Sequence, residues 1–164
     1  MTESKGPQPL LHIEEVLPVL NGIAILGGLT DAQLCTVFKC LQRITYEKGE
    51  VIFEQGSAPS HIRIIRSGAV KLVAYFEDDP LELIVLDEGD CFGETAVISI
   101  RKHEVSAIAI EKTELLIFPR DRLFSLHEAD IQLFGMLVLN NAREACRRLS
   151  KTEDLMLHYA TQKK

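Results

Sequence analysis

The sequence predicts a mainly β fold: an antiparallel β-roll of jelly-roll type with N-terminal helices and a long C-terminal helix. Three observations predict it. Between about Ile44 and Pro119, short β-branched runs (VIF, HIRII, AVKLVAYF, LELIVL, VSAIAI, ELLIF) alternate with Gly-containing or acidic turn clusters (EKGE, EQGSAPS, RSGA, EDDP, DEGD). Many short strands at near-even spacing read as a sandwich or barrel. On either side of that stretch the apolar period becomes helical.

The first helical stretch runs from Leu10 to about Leu41, carried by Val16, Leu17 and Leu20 and then by Leu34, Val37, Phe38 and Leu41. Within it, GGLTDAQL places a stop at Gly27 and Gly28 and an N-cap at Thr30 or Asp31. Gly49, Gly56, Gly68 and Gly89 fall where strands must reverse. Helical period returns after Asp121 and persists to about Leu157. With no linker inside, we expect one unit. Residues 10–126 form the roll with its N-terminal helices and 127–160 a C-terminal helical region, with flexible tips at 1–9 and 161–164.

Composition narrows the function classes. No apolar run reaches the ~18–20 residues of a membrane helix, and the N-terminus lacks a basic patch followed by an apolar stretch. A cytoplasmic protein with no membrane partner is therefore expected. Cys35, Cys40, Cys91 and Cys146 form no C-x-x-C pair and have no histidine at zinc spacing, which predicts free thiols and no metal. The net charge is −6, and the one local run of basic residues, from Arg143 to the C-terminus, is interleaved with Glu144, Glu153 and Asp154. That pattern reads as a solvated helix face and not as a nucleic-acid patch. The five histidines are dispersed, with no H-x-H pair, so no enzyme is expected.

One segment carries chemistry: Gly89 to Ala107, GDCFGETAVISIRKHEVSA. A strand ending at Cys91–Phe92 is followed by Gly93 and a helical turn begun by Glu94, Thr95 and Ala96. The free N–H groups of such a start can hold an anion. A carboxylate at its head is suited to accept from a sugar hydroxyl, and Arg101, Lys102 and His103 bring basic groups nearby. These are the needs of a ribose phosphate. A plain capping role for Glu94, with Arg101 and Lys102 solvating a loop, satisfies the same residues.

The ordered set GLTDAQL, GEVIFEQG, SGAVKL, FGETAV and TELLIFPRDRL resembles the cyclic-nucleotide-binding domain family over about Leu20 to Leu126. The resemblance implies a phosphate-binding cassette, with Thr95 among its ligand-binding residues, in which Gly93 and Ala96 offer their backbone to the ligand and Glu94 takes the ribose 2′-hydroxyl. It implies cyclic AMP or another cyclic nucleotide as ligand. Alignment without gaps from the following strand sets His103 where the family carries its phosphate-binding arginine, Glu104 on a small-residue position and Ser106 on the usual Ser/Thr. Histidine replaces a permanent, fork-shaped cation with a weakly basic ring, and Glu104 adds repulsion. Arg101 or Lys102 would be the substitute cations. The alternative is a degenerate fold that binds no nucleotide and acts through protein contacts.

Ile131, Phe134, Val138, Asn141, Ala145 and Arg148 step by three and four along the C-terminal helix, while Leu133, Met136, Leu137 and Leu139 occupy other faces. Apolar residues on more than one face call for more than one partner. A homodimer through that seam, with Asn141 setting register, is expected. No helix-turn-helix follows the helix in this sequence, so no DNA-binding domain is expected in the chain.

Overall fold

The glycine-punctuated middle of the chain folds into two antiparallel sheets that face each other. The computed structural model describes residues 6–10, 20, 22–76 and 79–162. The strands are β1 (Gln8–Pro9), β2 (Gln42–Tyr46), β3 (Val51–Phe53), β4 (His61–Ser67), β5 (Val70–Phe76), β6 (Asp79–Leu86), β7 (Cys91–Phe92), β8 (Ser106–Ala109) and β9 (Thr113–Pro119). One sheet has the order β1-β2-β9-β4-β7 and the other β3-β8-β5-β6. The helices are α1 (Asp31–Cys40), α2 (Glu94–Ser99), α3 (Arg120–Ala129) and α4 (Ile131–Gln162), with a 3-10 turn at Ala24–Leu26. This is the predicted helix–roll–helix order.

Strand β9 is apolar from Leu115 to Pro119, and β4 carries Ile62 and Ile64 on one face and Ile65 on the other, because both faces of these strands are covered. On β9, Leu116 and Phe118 join Ile62 and Ile64 of β4 in a core built with α1, α3 and α4; Leu115 and Ile117 join Ile65, Phe53 and Phe92 in a second core inside the roll. Strand alternation sends neighbours to opposite faces, so Arg63, between Ile62 and Ile64, shares the inner face with Ile65. It is the charged residue of that face, and it is 6% exposed.

Helix α1 starts at a full capping box, with the Thr30 hydroxyl accepting from the Gln33 backbone N–H and the Gln33 side chain accepting from the Thr30 N–H. Gly68 has φ +88, and a Cβ there would stand 2.6 Å from the Lys112 carbonyl oxygen, so the β4–β5 reversal admits no side chain.

Three boundaries differ from the expectation. Gln8 and Pro9, placed in a flexible tip, pair with Arg43 and Gln42 of β2. The division at residues 126 and 127 falls inside α3, which is one helix to Ala129 and ends where Asp130 begins the next one. Helix α4 continues past Leu157 to Gln162. The expected helical turns at Val16 and Leu17 lie outside the described residues; Leu20 is buried in the core beneath α1.

The seam expected on α4 is also corrected. Leu133 and Leu137 are the residues buried against the domain, and Asn140 donates to the carbonyls of Ile25 (3.2 Å) and Gly27 (2.8 Å). Asn141 is 2% exposed and donates to Leu137 of its own helix (2.7 Å), so it faces the home domain. Phe134 packs on Phe124 and His127 of α3. Because α4 is apolar on several faces, spacing alone did not say which stripe the domain would take.

Candidate ligand-binding site

Strand β7 delivers the chain to Gly93, whose φ of +80 turns it into α2. Glycine is required there twice over. The left-handed backbone favours it, and a Cβ would lie 3.1 Å from both the Arg63 Nη1 and the His61 carbonyl oxygen. Helix α2 closes at Ile100, a β-branched residue at φ 56, a conformation such residues rarely adopt.

Beside α2 lies a cavity of about 420 Å³, within the range of small-molecule sites. Its walls include Phe53, Phe92, the Gly93–Ala96 turn, the 101–105 loop and Arg148. The structure thus brings together seven of the residues singled out from sequence with His103, but not Ser106. That hydroxyl accepts from the Gln55 backbone N–H (2.9 Å) and lines a neighbouring cleft with Gln55 and Tyr75. Ser106 ties β8 to the end of β3. Arg101, Lys102, Thr95 and Glu104 are exposed at the rim, which places the Glu104 charge in water and weakens the repulsion expected from it.

Glu94 is 1% exposed. Its Oε1 accepts from Arg148 Nη1 of α4 (2.9 Å) and from the Thr95 hydroxyl (3.4 Å); its Oε2 is buried without a partner among the described residues. Burial pushes the Glu94 carboxyl above its usual range, and the Arg148 charge pulls it back only in part. Arg148 also donates to the Cys91 carbonyl and to Glu144 (3.1 Å), and Glu144 takes a further bond from Arg147 (2.8 Å). Burial, reinforced by the Glu94 charge, drives the Cys91 thiol up to about 12, so it stays protonated and inert.

His103 is pinned by backbone bonds to the 56–57 turn, its N–H to the Ser57 carbonyl (3.0 Å) and its carbonyl to the Gly56 N–H (2.7 Å). Its ring stacks on Phe53 with centroids 3.8 Å apart, and Nε2 is buried without a partner. Burial first, and the neighbouring Arg63 charge second, lower its pKa to about 4. A histidine held neutral here cannot serve as the resting cation of the site at mildly acidic pH, which corrects the charge role considered from sequence.

A stability test follows from that shift. The unfolded imidazole takes up a proton near pH 6.5, whereas the folded one waits until about pH 4. Between those values the unfolded chain binds the extra proton, so stability falls with pH by roughly 2–3 kcal/mol. Urea unfolding of native protein and His103→Gln at pH 7.5 and 4.5 should show the variant losing about 2 kcal/mol less on acidification. Equal losses would mean that His103 titrates as it does in water.

Two residues at the site had no sequence signal. Arg63 lies about 30 positions and Arg148 about 54 positions from Glu94, and neither belongs to a local motif. Arg63 packs against Phe53, with the guanidinium carbon 4.7 Å from the ring centroid, and against Gly93.

The cyclic nucleotide-binding domain model matches residues 43–130. The Cyclic AMP receptor protein of Thermus thermophilus is 27% identical over 135 residues, covering 82% of this chain and 61% of that protein. The cGMP-dependent protein kinase 2 of Mus musculus is 32% identical over 100 residues, covering 60% of this chain and 13% of the kinase. The chain therefore spans less than two thirds of these curated relatives. Among solved structures, a cyclic nucleotide-binding domain from Methylobacillus flagellatus superposes with a TM-score of 0.78 at 18% identity, covering 88% of this chain and 82% of that one. The Thermus thermophilus catabolite activator protein superposes with a TM-score of 0.72 at 27% identity, covering 84% and 63%.

Proposed function

Because the chain belongs to the cyclic nucleotide-binding domain family, we propose that it is a ligand-sensing regulatory module. It takes a cyclic mononucleotide into the cavity beside α2 and has no catalytic site of its own. The observation that carries this reading is Glu94. A carboxylate that is 1% exposed, with one oxygen held by Arg148 and the other buried and unpartnered, is an acceptor kept ready for a hydroxyl. Burying it without such a use costs stability. The Gly93–Ala96 turn supplies backbone donors beside it, and the rim cations Arg101 and Lys102 draw anions toward the mouth. The relatives whose names carry cyclic AMP and cGMP make those two nucleotides the first probes.

The test is thermal melting with cyclic AMP, cyclic GMP and cyclic dinucleotides. A ligand at 100 times its Kd adds about 2.7 kcal/mol, a shift of several degrees. Glu94→Ala should remove that shift while the protein still folds, since Arg148 keeps Glu144; loss of a charged acceptor costs about 1.5–3 kcal/mol in binding. A native protein that responds to none of these nucleotides would leave the second reading, contact with protein.

That second reading has its own observation on α4. Gly135, Leu139, Ala142, Cys146 and Leu149 fall on a 4-3 heptad spacing, and all are exposed; Glu153 holds the next position of that spacing and Met156 the one after. Such a seam is what a second copy of the same helix buries. The two readings are compatible, with a cytoplasmic homodimer whose α4 helices report on the cavity through Arg148. No helix of the described residues is long and apolar enough to cross a membrane.

A further inference from the structure

Inside the roll sits a cation without a counter-charge. Arg63 is 6% exposed, and no ion pair among the described residues includes it. Its Nη1 donates to the His61 carbonyl (2.9 Å) and its Nη2 reaches the Ser60 hydroxyl at 3.5 Å. A buried guanidinium satisfied only by neutral oxygens is costly, because arginine cannot shed its proton to escape burial as histidine does. Burial lowers its pKa to about 10, so at neutral pH it remains charged. Phe53, Gly93 and His103 line the cavity, and the guanidinium, itself behind the lining, lies against the first two.

We propose that Arg63 is the anion-holding residue of this cavity, supplying from β4 the charge that the cassette lacks at His103, for a ligand carrying a singly charged phosphodiester. This deepens the function proposed above and rests on it for the nucleotide part of the ligand. The charge count sets the ligand class. One buried cation balances one negative charge. A phosphomonoester would bring nearly two, and the cations of the lining offer no second buried charge, since Arg101 and Lys102 are exposed at the rim and Arg148 is paired with Glu94 and Glu144. The unpartnered Nε2 of His103, neutral and stacked on Phe53, is left to make a hydrogen bond with the ligand. Glycine at position 93 keeps the phosphate end open, since any side chain there would press on the guanidinium.

The experiment uses the full chain and three probes: cyclic AMP, 5′-AMP and dimethyl phosphate. Calorimetric titration should show cyclic AMP binding to native protein, weaker by about 30-fold or more in Arg63→Met and within about tenfold of native in Arg63→Lys, which keeps the charge. The 5′-monophosphate should bind native protein more weakly than the cyclic diester. Roughly 50 mM dimethyl phosphate should raise the native melting temperature and leave that of Arg63→Met unchanged. The Nε–Hε resonance of Arg63, read in native protein, should move with either diester.

Native-like cyclic AMP affinity in a folded Arg63→Met overturns the proposal and leaves the proposed function standing. Stabilisation by dimethyl phosphate through Arg63, with no nucleotide bound, keeps the anion site and removes the nucleotide reading. An Arg63 resonance unmoved by any probe overturns the anion site even where the variants fail to fold.

Discussion

Arg148→Met should unfold roughly 2–3 kcal/mol more easily than native protein at pH 7.5. Its guanidinium is three bonds in one: to the buried Glu94, to Glu144 on its own helix and to the Cys91 carbonyl at the end of β7. Its side chain is 25% exposed, so solvent screens part of the gain, but its partner Glu94 is almost wholly buried. Removing the cation leaves that carboxylate desolvated and uncompensated, which is the expensive way to break such a pair. The Glu94 pKa, already raised by burial, loses the charge that does most to lower it. The carboxyl then prefers its proton. Stability of Arg148→Met should therefore recover as pH falls toward 5 and decline as pH rises through the elevated pKa.

Glu94→Gln in the same background should recover most of the loss at pH 7.5, because the neutral amide has no charge to strand. The double-mutant cycle from urea melts gives the coupling directly, expected on the order of 2 kcal/mol. If Arg148→Met is as stable as native protein, or if Glu94→Gln fails to rescue it, the pair is a surface contact with no hold on the cassette. The functional consequence is on the ligand side. Arg148 orients Glu94 from a helix that otherwise leaves the domain beyond it, since the described side chains from Leu149 onward are exposed. Occupancy of Glu94 by a sugar hydroxyl would thus reach α4 through Arg148.

The parts of this molecule that were legible in sequence are the parts specified locally. Turn glycines, β-branched runs and the Thr30 capping box each act over a few residues, and each sits where the spacing put it. The Gly93–Ala96 turn was legible for the same reason, as a contiguous strand–glycine–helix start. The pairing of β2 with β9, or of β3 with β8, joins segments more than fifty residues apart and has no local sign. The site shares that limit. Arg63 looked like one polar residue in a strand run and Arg148 like one basic residue in a mixed helix. Only the fold puts the first against Gly93 and the second on Glu94. His103 was found, but its neutrality depends on burial and on Arg63, neither of which spacing reveals. On α4 the period was right and the phase was wrong. With Leu133 and Leu137 on one face and Phe134, Val138 and Leu139 on others, the helical period alone fits several orientations, and the hydrogen bonds of Asn140 to Ile25 and Gly27 select one.

With that orientation set, Leu139→Glu together with Leu149→Glu should convert a dimeric native protein to a monomer. Leu139 and Leu149 are 44% and 58% exposed and Met156 is 68% exposed, on the side of α4 away from the core. Gly135 precedes them and Ala142 and Cys146 lie between Leu139 and Leu149, so steps of four and three hold from Gly135 to Leu149 over two heptads, the spacing at which two helices supercoil; Glu153 takes the next position before Met156. A stripe of this kind on a free helix would leave apolar surface in water. A second copy presents the same stripe, and small residues at Gly135 and Ala142 let the two backbones approach. The two substitutions place four carboxylates in one interface, too costly to bury unpaired. Since both side chains are exposed in the single chain, the variant's own fold should melt within about 0.5 kcal/mol of a native monomer. Sedimentation velocity at tens of micromolar should give a dimer for native protein and a monomer for the variant. Cys146, exposed and free, adds a second readout. A parallel, in-register pair sets the two Cys146 side chains opposite each other, close enough for a disulfide, so a mild oxidant should trap the native dimer and leave Cys146→Ser untrapped. Native protein that sediments as a monomer would end the dimer and leave the outer face of α4 exposed in solution.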